Sequence, residues 1–326
     1  MADLQTQFNK FHEIIKIDFE GNKPLREKRD MILAELRAGL KKQFSTNTPT
    51  FKDFVQGSYD LATGVEPMQG EDYDIDVGLD FNLTTERFKP VELKEIVFNI
   101  LNAVAKRKVE IKRPCVRVQY HNAGEVAYHI DLAIYAHGKD VLGNMNDKLY
   151  IAKGYLGSST DKKIWEISEP YQLKELIKSK ISDNTDREQF RRVIRYLKRW
   201  KDYNFSSTGS ERPTGIALTA CCYYLFSVQK SYNPLTKAHR YNDLDALKNI
   251  VNGILKAFNG YTRIKVELPV SPKNDLFEKM SDNQMLNFKT KLQSFKTVIE
   301  NASADVLIST ACTRLVKVFG DDFPTS

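Results

Sequence analysis

Apolar residues recur at helical spacing in the first part of the chain. In residues 4–15 they lie three or four positions apart, at Leu4, Phe8, Phe11 and Ile15. The same spacing returns after Pro24 and after Pro90, and proline is common in the first turn of a helix. These patterns predict two helices at the start of the chain and a third after residue 90.

The period changes to two in residues 73–81. Every odd position there is apolar, whereas the even positions from 72 onwards are acidic or have no side chain: Asp72, Asp74, Asp76, Gly78 and Asp80. This alternation predicts a strand, because successive side chains of a strand point to opposite faces. One face of the strand is therefore acidic.

Two further β-rich runs follow, at 109–120 and 125–135, with a turn predicted between them at 122–124. In the second run the even positions 130–134 are apolar, so Asp131 lies on the opposite face. An acidic residue again occupies the polar face of a strand.

After about residue 182 the pattern is helical throughout. Residues 185–188 (TDRE) have the sequence of a capping box, and an apolar stripe follows over 190–200. More helices are predicted over 213–228, 244–258, 285–299 and 308–319.

Length and composition agree with two folded lobes. The chain has 326 residues, of which 41% are hydrophobic, and a domain takes roughly 150 residues. The order of elements predicts an α+β fold. We expect residues 1–182 to form a mixed sheet with flanking helices, and residues 183–326 to form an all-helical lobe.

Charge and hydropathy limit the partners. The 49 basic and 42 acidic residues give a net charge of +7, which favours anionic partners such as nucleotides, nucleic acid or a phospholipid surface. The longest apolar stretch, 217–226, is far shorter than the roughly 20 residues that span a bilayer. The first residues lack the pattern of a secretory signal. We therefore expect a cytoplasmic protein with no membrane partner.

The strongest candidate chemistry lies in three aspartates. Asp74 and Asp76 project from one strand face about 6.6 Å apart, close enough to share metal ions. Asp131 from a neighbouring strand would complete the set. A solvated edge strand would explain the same pattern, but aspartate is a poor strand former. Three adjacent carboxylates without a cation would force one of them to protonate, so the cluster predicts a Mg²⁺ site.

A Gly-Ser pair upstream complements these carboxylates. Two Mg²⁺ ions are the recurring device for in-line displacement at phosphorus, where one activates the attacking hydroxyl and the other stabilises the departing pyrophosphate. Gly57 lets the backbone approach a phosphate closely, and the Ser58 hydroxyl can bind the same group. The sequence therefore predicts a nucleotide site beside the metals.

Three segments carry a resemblance to a known superfamily. They are QGSYDLATGV at 56–65, EDYDIDVGLDF at 71–81 and HIDLAIY at 129–135. Together they resemble the nucleotidyltransferases of the DNA polymerase β superfamily. More narrowly, the chain resembles the bacterial relatives of cyclic GMP–AMP synthase and oligoadenylate synthetase, which make cyclic di- or trinucleotide signals in anti-phage defence. This resemblance implies a polymerase β-like lobe, a helical lobe and an active site in the cleft between them.

The resemblance also implies roles for the acidic residues. Asp74 and Asp76 would bind both metals, and Asp131 would bind the catalytic metal and help to activate a 3′- or 2′-hydroxyl. Asp72 competes for the first role, but hydrophobic residues follow the 74/76 pair as they do in the family. The cofactor would be two Mg²⁺ ions, with Mn²⁺ as a possible substitute.

Further residues are implied to contact nucleotide. Gln56, Gly57 and Ser58 would do so from the first lobe, and Lys198 and Thr214 would contact the donor triphosphate from the second.

Two of these candidates have competing interpretations. Lys198 lies in a basic run over 191–201 that is typical of a solvated helix face, and Arg195 is its nearest substitute. Thr214 stands where the family commonly has serine, and Gly215 follows it instead of an aromatic residue. Base recognition is therefore expected elsewhere. His129 is interpreted as a residue that lines the pocket, in preference to a general base.

The leading hypothesis is an enzyme that joins NTPs into a cyclic product and releases pyrophosphate. Its substrates would be ATP, GTP or both, with pyrimidine NTPs as another option. An effector would read the product, and an RNA or a regulatory protein could activate the enzyme. The alternatives are a linear nucleotidyltransferase and a nucleotide or nucleic-acid sensor of the same fold.

Overall fold

The computed structural model describes residues 2–17, 23–105, 107–120, 128–206 and 211–326. The turn predicted at 122–124 lies outside these ranges. The helices are α1 (Gln5–Ile15), α2 (Lys23–Gln43), α3 (Gly57–Asp60), α4 (Pro90–Asn102), α5 (Pro170–Ser179), α6 (Asn184–Asn204), α7 (Gly215–Leu225), α8 (Asp243–Ala257), α9 (Asp282–Ala304) and α10 (Ile308–Phe319). The strands are β1 (Phe51–Val55), β2 (Tyr73–Thr84), β3 (Arg107–Ile111), β4 (Val116–Tyr120), β5 (Tyr128–Lys139), β6 (Met145–Lys153), β7 (Ile164–Ile167), β8 (Lys230–Asn233) and β9 (Ala238–Tyr241).

A mixed sheet of seven strands forms the first part of the molecule. Its strand order is β1-β2-β5-β4-β3, and β6 joins β5 to β7. The neighbours β2 and β5 run parallel, whereas the other pairs are antiparallel. The predicted mixed sheet with flanking helices is therefore confirmed.

Side-chain alternation on β2 separates a core face from a polar face, as the sequence predicts. Ile75, Val77, Leu79 and Phe81 are fully buried. They pack in one apolar cluster with residues of α2 and α4, such as Leu36 and Val97. Because this face is covered by two helices, the aspartates of β2 are left on the opposite face.

The second apolar core belongs to the helices. Residues of α6 to α10 form one cluster, and Phe8 and Phe11 of α1 and Ile177 of α5 lie in that same cluster. The cores therefore divide the chain differently from the predicted division into residues 1–182 and 183–326, because α1 packs with the later helices.

Local details differ from the sequence pattern in three places. The N-cap of α6 is Asp183, whose side chain accepts a hydrogen bond from the Asp186 amide, so the cap lies two residues before the predicted box. The run at 109–120 is two antiparallel strands. The helical C-terminal part also contains the hairpin β8–β9, where Asn233 Oδ1 caps the turn by accepting from the Leu235 amide. No helix among the described residues is long and apolar enough to cross a membrane.

Candidate active site

The pairing of β2 with β5 brings the three predicted aspartates together. In this parallel register Asp76 lies beside Asp131, and Asp74 lies beside His129. One carboxylate oxygen from each of Asp74, Asp76 and Asp131 lies within 4.8 Å of the others. These three residues are called the acidic triad below. The side chain of Asp74 is 53% exposed, whereas that of Asp131 is only 13% exposed.

The convergence of the three carboxylates affects the pKa of Asp76. Loss of solvent, followed by the nearby carboxylates of Asp74 and Asp131, raises the pKa of Asp76 well above its ordinary value. Its backbone carbonyl accepts a hydrogen bond from the Gln56 amide at 3.0 Å. The carboxyl is thus held on a fixed backbone in a site with excess negative charge.

Gly57 lies directly against the Asp76 carboxylate. A Cβ built on Gly57 would lie 2.1 Å from Oδ2 of Asp76, and the glycine has a φ of +69°. Both the contact and the left-handed backbone disfavour any side chain here. The sequence analysis gave Gly57 a role in close approach to a phosphate, and the structure adds that glycine is required here by the neighbouring Asp76 carboxylate.

Arg117 is a member of this site that the sequence analysis missed. It lies opposite Asp131 in the antiparallel pair β4–β5, and its Nε and Nη2 donate to the two carboxylate oxygens of Asp131, each at 2.7 Å. These hydrogen bonds raise the pKa of the Arg117 guanidinium. The sequence signal was available, because alternation in 116–120 places Arg117 on the face opposite the buried valines.

His129 and Asp72 form a pair beside the triad. His129 Nε2 lies 2.9 Å from Asp72 Oδ2, and Nδ1 lies 3.7 Å from Asp74 Oδ1. That buried Nδ1 has no hydrogen-bond partner among the described residues. Asp72 is therefore engaged with a histidine and is not one of the three converging carboxylates.

A cleft of about 580 Å³ collects most of the predicted nucleotide-binding residues. Its lining includes Gly57, Ser58, Asp74, Asp76, Lys198 and Thr214. Gln56 lines a neighbouring cavity of about 230 Å³, and its side-chain oxygen accepts a hydrogen bond from the Tyr135 hydroxyl at 3.0 Å. The two cavities share Gly57 and Asp76.

Lys198 is buried in this cleft. Its ammonium donates to the carbonyl of Thr63 at 3.0 Å and to Oγ1 of Thr63 at 3.1 Å. The amide of Thr63 in turn donates to the Ser58 carbonyl at 2.9 Å. Burial, followed by the positive charge of Lys201, lowers the pKa of Lys198 to about 7. The lysine is thus linked through Thr63 to the turn that carries Gly57 and Ser58.

The rest of the basic run is not a solvated face, and that interpretation is wrong. Arg195, Lys198, Arg199 and Lys201 are all buried, and we call them the basic side of α6. Arg195 donates to the carbonyls of Ala62 and Gly64, and Arg199 donates to that of Glu66. Because its donors already bind backbone carbonyls, Arg195 is a poor substitute for Lys198.

Thr214 is the N-cap of α7. Its hydroxyl accepts a hydrogen bond from the Ala217 amide at 3.3 Å, so the helix begins at Gly215 and not at the predicted Pro213. The residue lines the cleft, and capping leaves its hydroxyl hydrogen free to be donated.

The acidic triad has the properties of a site for a hard divalent cation. Its donors are carboxylate oxygens, the ligands that Mg²⁺ prefers, and they converge without any rearrangement of the backbone. The raised pKa of Asp76 reflects a negative charge that a divalent ion would neutralise. The residues present therefore fit Mg²⁺ or Mn²⁺.

Comparison with known proteins gives matches at the level of domain and fold. Residues 50–135 match the family model described as cyclic GMP-AMP synthase DncV-like, nucleotidyltransferase domain. A cyclic GMP-AMP synthase of Escherichia albertii is 26% identical over 200 residues, which are 59% of this chain and 40% of that relative. The match thus spans less than half of the relative's length.

Two solved structures have the same fold over almost the whole chain. Vibrio cholerae DncV cyclic AMP-GMP synthase has a TM-score of 0.74 at 18% identity, covering 99% of this chain and 98% of that one. Its complex with nonhydrolyzable GTP has a TM-score of 0.75 at 19% identity, covering 99% and 97%. Residues 50–135 are therefore similar to the nucleotidyltransferase domain of the DncV-like family, and the chain has the fold of the Vibrio cholerae DncV structures.

Proposed function

We propose that this protein is a metal-dependent nucleotidyltransferase that condenses NTPs into a cyclic di- or trinucleotide and releases pyrophosphate. The observation that carries the proposal is the convergence of Asp74, Asp76 and Asp131 within 4.8 Å at the edge of a cleft that also contains Gly57 and Lys198. The matched relative and the similar structures are named as synthases of cyclic dinucleotides.

The acidic triad would hold the metal. Asp74 and Asp76 would bind two Mg²⁺ ions, which Mn²⁺ can replace, and Asp131 would bind the catalytic ion. When bound, the metal acidifies the attacking hydroxyl and neutralises charge on the leaving pyrophosphate. The protein contributes rigid placement, because Asp76 and Asp131 lie in register on adjacent strands and therefore need little reorganisation.

The donor triphosphate would bind across the cleft. Gly57 leaves its backbone bare for close approach, and the Ser58 hydroxyl lies in the next position. Lys198 and Thr214 would approach from the helical side, Lys198 as a cation and Thr214 through its hydroxyl. Gln56 would act from its backbone, since its amide holds the Asp76 strand while its side chain binds Tyr135.

The substrates are proposed to be ATP, GTP or both. Support comes from the Vibrio cholerae enzyme, solved with ATP and GTP and with the linear intermediate pppA(3′,5′)pG. A cytoplasmic signal of this kind, read by an effector and switched on by an RNA or a regulatory protein, would suit a role in anti-phage defence. The reaction is proposed to take place between lobes formed by residues 1–182 and 183–326, with α1 packed against the helices of the second lobe.

Product analysis tests this function. Purified protein is incubated with all four NTPs and Mg²⁺ or Mn²⁺, treated with phosphatase and analysed by mass spectrometry. We expect a phosphatase-resistant cyclic species that carries no terminal phosphate, together with pyrophosphate. Its mass identifies the bases.

A double variant, Asp74→Ala/Asp76→Ala, serves as the control and should make no product. Products that phosphatase degrades would show a linear nucleotidyltransferase instead of a cyclising one. No turnover with either metal by folded protein that binds NTP, even with cell extract added as a source of activators, would contradict the enzyme and favour a sensor.

A further inference from the structure

Arg117 spans two of the three carboxylates that the proposed function assigns to metal. Its bidentate contact occupies both oxygens of Asp131, and its Nη2 lies 4.0 Å from Oδ1 of Asp74. A guanidinium and a divalent cation would thus compete for the same oxygen atoms. Neither the family match nor the similar structures assign a role to this residue.

The backbone beneath Arg117 is fixed. Lys94 is buried and donates from one ammonium to the carbonyls of Lys112, Arg113 and Gly154, at 2.5, 2.9 and 2.7 Å. These bonds secure the turn that leads into β4. The Arg117 side chain is nevertheless 26% exposed, so the guanidinium can rotate toward solvent while the strand stays in place.

Electrostatic attraction favours Arg117 beside the acidic triad while no metal is bound. Three converging carboxylates repel one another, and a guanidinium that pairs bidentately with Asp131 offsets part of that repulsion. A divalent ion bound by Asp131 would lie within a few ångströms of the guanidinium, and the two cations would repel each other. The best arrangement of Arg117 is therefore different with and without metal.

We propose that Arg117 is the resident counter-cation of the acidic triad: it holds Asp131 in place before catalysis and yields carboxylate oxygens when the metal binds. It is a positioning residue, since it acts through Asp131. This inference rests on the proposed function, because the metal is the ligand with which the arginine competes.

Metal binding without nucleotide tests the inference. Mn²⁺ alone is titrated into the full-length protein, and free Mn²⁺ is followed by electron paramagnetic resonance. Arg117→Gln should bind Mn²⁺ about tenfold more tightly than the wild type, because one opposing charge is removed from a partly exposed site. With NTPs present, the metal concentration for half-maximal rate should fall as well.

The sign of the change decides between two roles. If Arg117 only oriented Asp131 toward the metal, its removal would weaken Mn²⁺ binding. Equal or weaker binding by Arg117→Gln would therefore overturn the inference. Arg117→Lys keeps a cation but loses the bidentate contact, so its affinity should lie between those of the wild type and Arg117→Gln. If Arg117→Gln unfolds at a lower temperature than the wild type, Arg117→Lys provides a second variant for the same Mn²⁺ titration.

Two further variants separate this inference from the proposed function. Asp76→Asn should lose Mn²⁺ binding whatever Arg117 does, and that loss supports the metal site itself. The gain from Arg117→Gln should be smaller in an Asp131→Asn background, because competition for the Asp131 carboxylate is then absent and only repulsion between the guanidinium and the ion remains. If neither the wild type nor Arg117→Gln binds Mn²⁺, both proposals are overturned. If the two proteins bind Mn²⁺ with the same affinity, only the role of Arg117 is overturned.

Discussion

Asp74, Asp76, Lys198 and Lys201 line one cleft, but the acidic triad and the basic side of α6 have different partners. The three carboxylates converge on one another, with Arg117 as the arginine that pairs with them. Arg195, Lys198 and Arg199 instead donate to backbone carbonyls of residues 62–66, and Lys201 pairs with the neighbouring Asp202. A cluster of charges thus forms a candidate ligand site in one region and an internal scaffold in the other.

The physical reason lies in what each region leaves unsatisfied. Burial, followed by the neighbouring carboxylates of Asp74 and Asp131, raises the pKa of Asp76, and a bound cation would offset that penalty. Arginines facing a loop satisfy carbonyls that would otherwise be buried without partners. The first arrangement favours binding, and the second favours a fixed relation between the loop and α6.

The largest effect should come from removing a scaffold cation. Arg195→Met removes the arginine donor from the carbonyls of Ala62 and Gly64, of which the second keeps the Ile17 amide at 3.4 Å, and we expect a loss of about 3 kcal/mol in the free energy of unfolding. Arg191→Met is the matched control on the same helix. Its partner is the exposed Glu188, so the loss should stay below about 1 kcal/mol. Similar losses in urea unfolding would contradict the contrast.

A pH effect follows from the histidine that meets this scaffold. His12 Nε2 accepts from Arg195 Nη1 at 2.9 Å, and burial, followed by that arginine's charge, lowers the pKa of His12 from 6.5 to about 4. The unfolded chain therefore binds this proton at higher pH than the folded chain. Its contribution to stability is present above pH 6.5 and is lost as the pH falls through 4, by about 2–3 kcal/mol.

The check is urea unfolding between pH 7 and 4. The difference between the wild type and His12→Gln should shrink by that amount as the pH falls. His239→Gln changes an exposed histidine of the β8–β9 hairpin and should leave the wild-type pH dependence intact. If the difference in stability between the wild type and His12→Gln does not change with pH, burial beside Arg195 does not lower the pKa of His12.

A side chain at position 57 would crowd the acidic triad. We expect a smaller loss of stability than in the two preceding cases, but a clear loss of turnover rate. Gly57→Ala and Gly70→Ala both place a side chain at positive φ, so each should cost about 1 kcal/mol. Only at Gly57 would the new Cβ strike Asp76, since nothing lies within 4 Å of Gly70. Turnover should fall about 10- to 100-fold for Gly57→Ala alone. Equal turnover in the two variants would contradict a positioned Asp76.

How far the site could be predicted differs between the two regions. Alternation on β2 and β5 placed Asp74, Asp76 and Asp131 on polar faces. The parallel register of the two strands then brings Asp76 beside Asp131. The burial of Lys198 could not be read from α6. Helical periodicity reports which residues face an apolar core, whereas Lys198 faces backbone carbonyls of a distant loop.

The same limit applies to the fold. The sheet, its flanking helices and the helical C-terminal part were predictable from local periodicity. The packing of α1 with the later helices and the contact of Arg117 with Asp131 depend on which elements meet, and no local pattern encodes that. Turn details such as the Asp183 cap were missed because Thr185 offered an equally good local signal.

Lys198 links the two regions and gives the smallest effect. Its pKa of about 7 means that it is mostly neutral at pH 8, and a bound triphosphate would favour the charged form. Binding of a nonhydrolysable NTP at pH 8 should therefore take up close to one proton. Calorimetry in buffers of different ionisation enthalpy measures this uptake. Lys198→Arg is always charged, so its uptake should be lower; equal uptake would remove Lys198 from the triphosphate site.

Anomalous X-ray diffraction from crystals grown with Mn²⁺ and a nonhydrolysable NTP would locate the metal at the acidic triad. We expect manganese peaks within bonding distance, about 2.2 Å, of carboxylate oxygens of Asp74, Asp76 and Asp131, with the triphosphate between them and Lys198. Bound nucleotide with no manganese at these carboxylates would contradict this expectation.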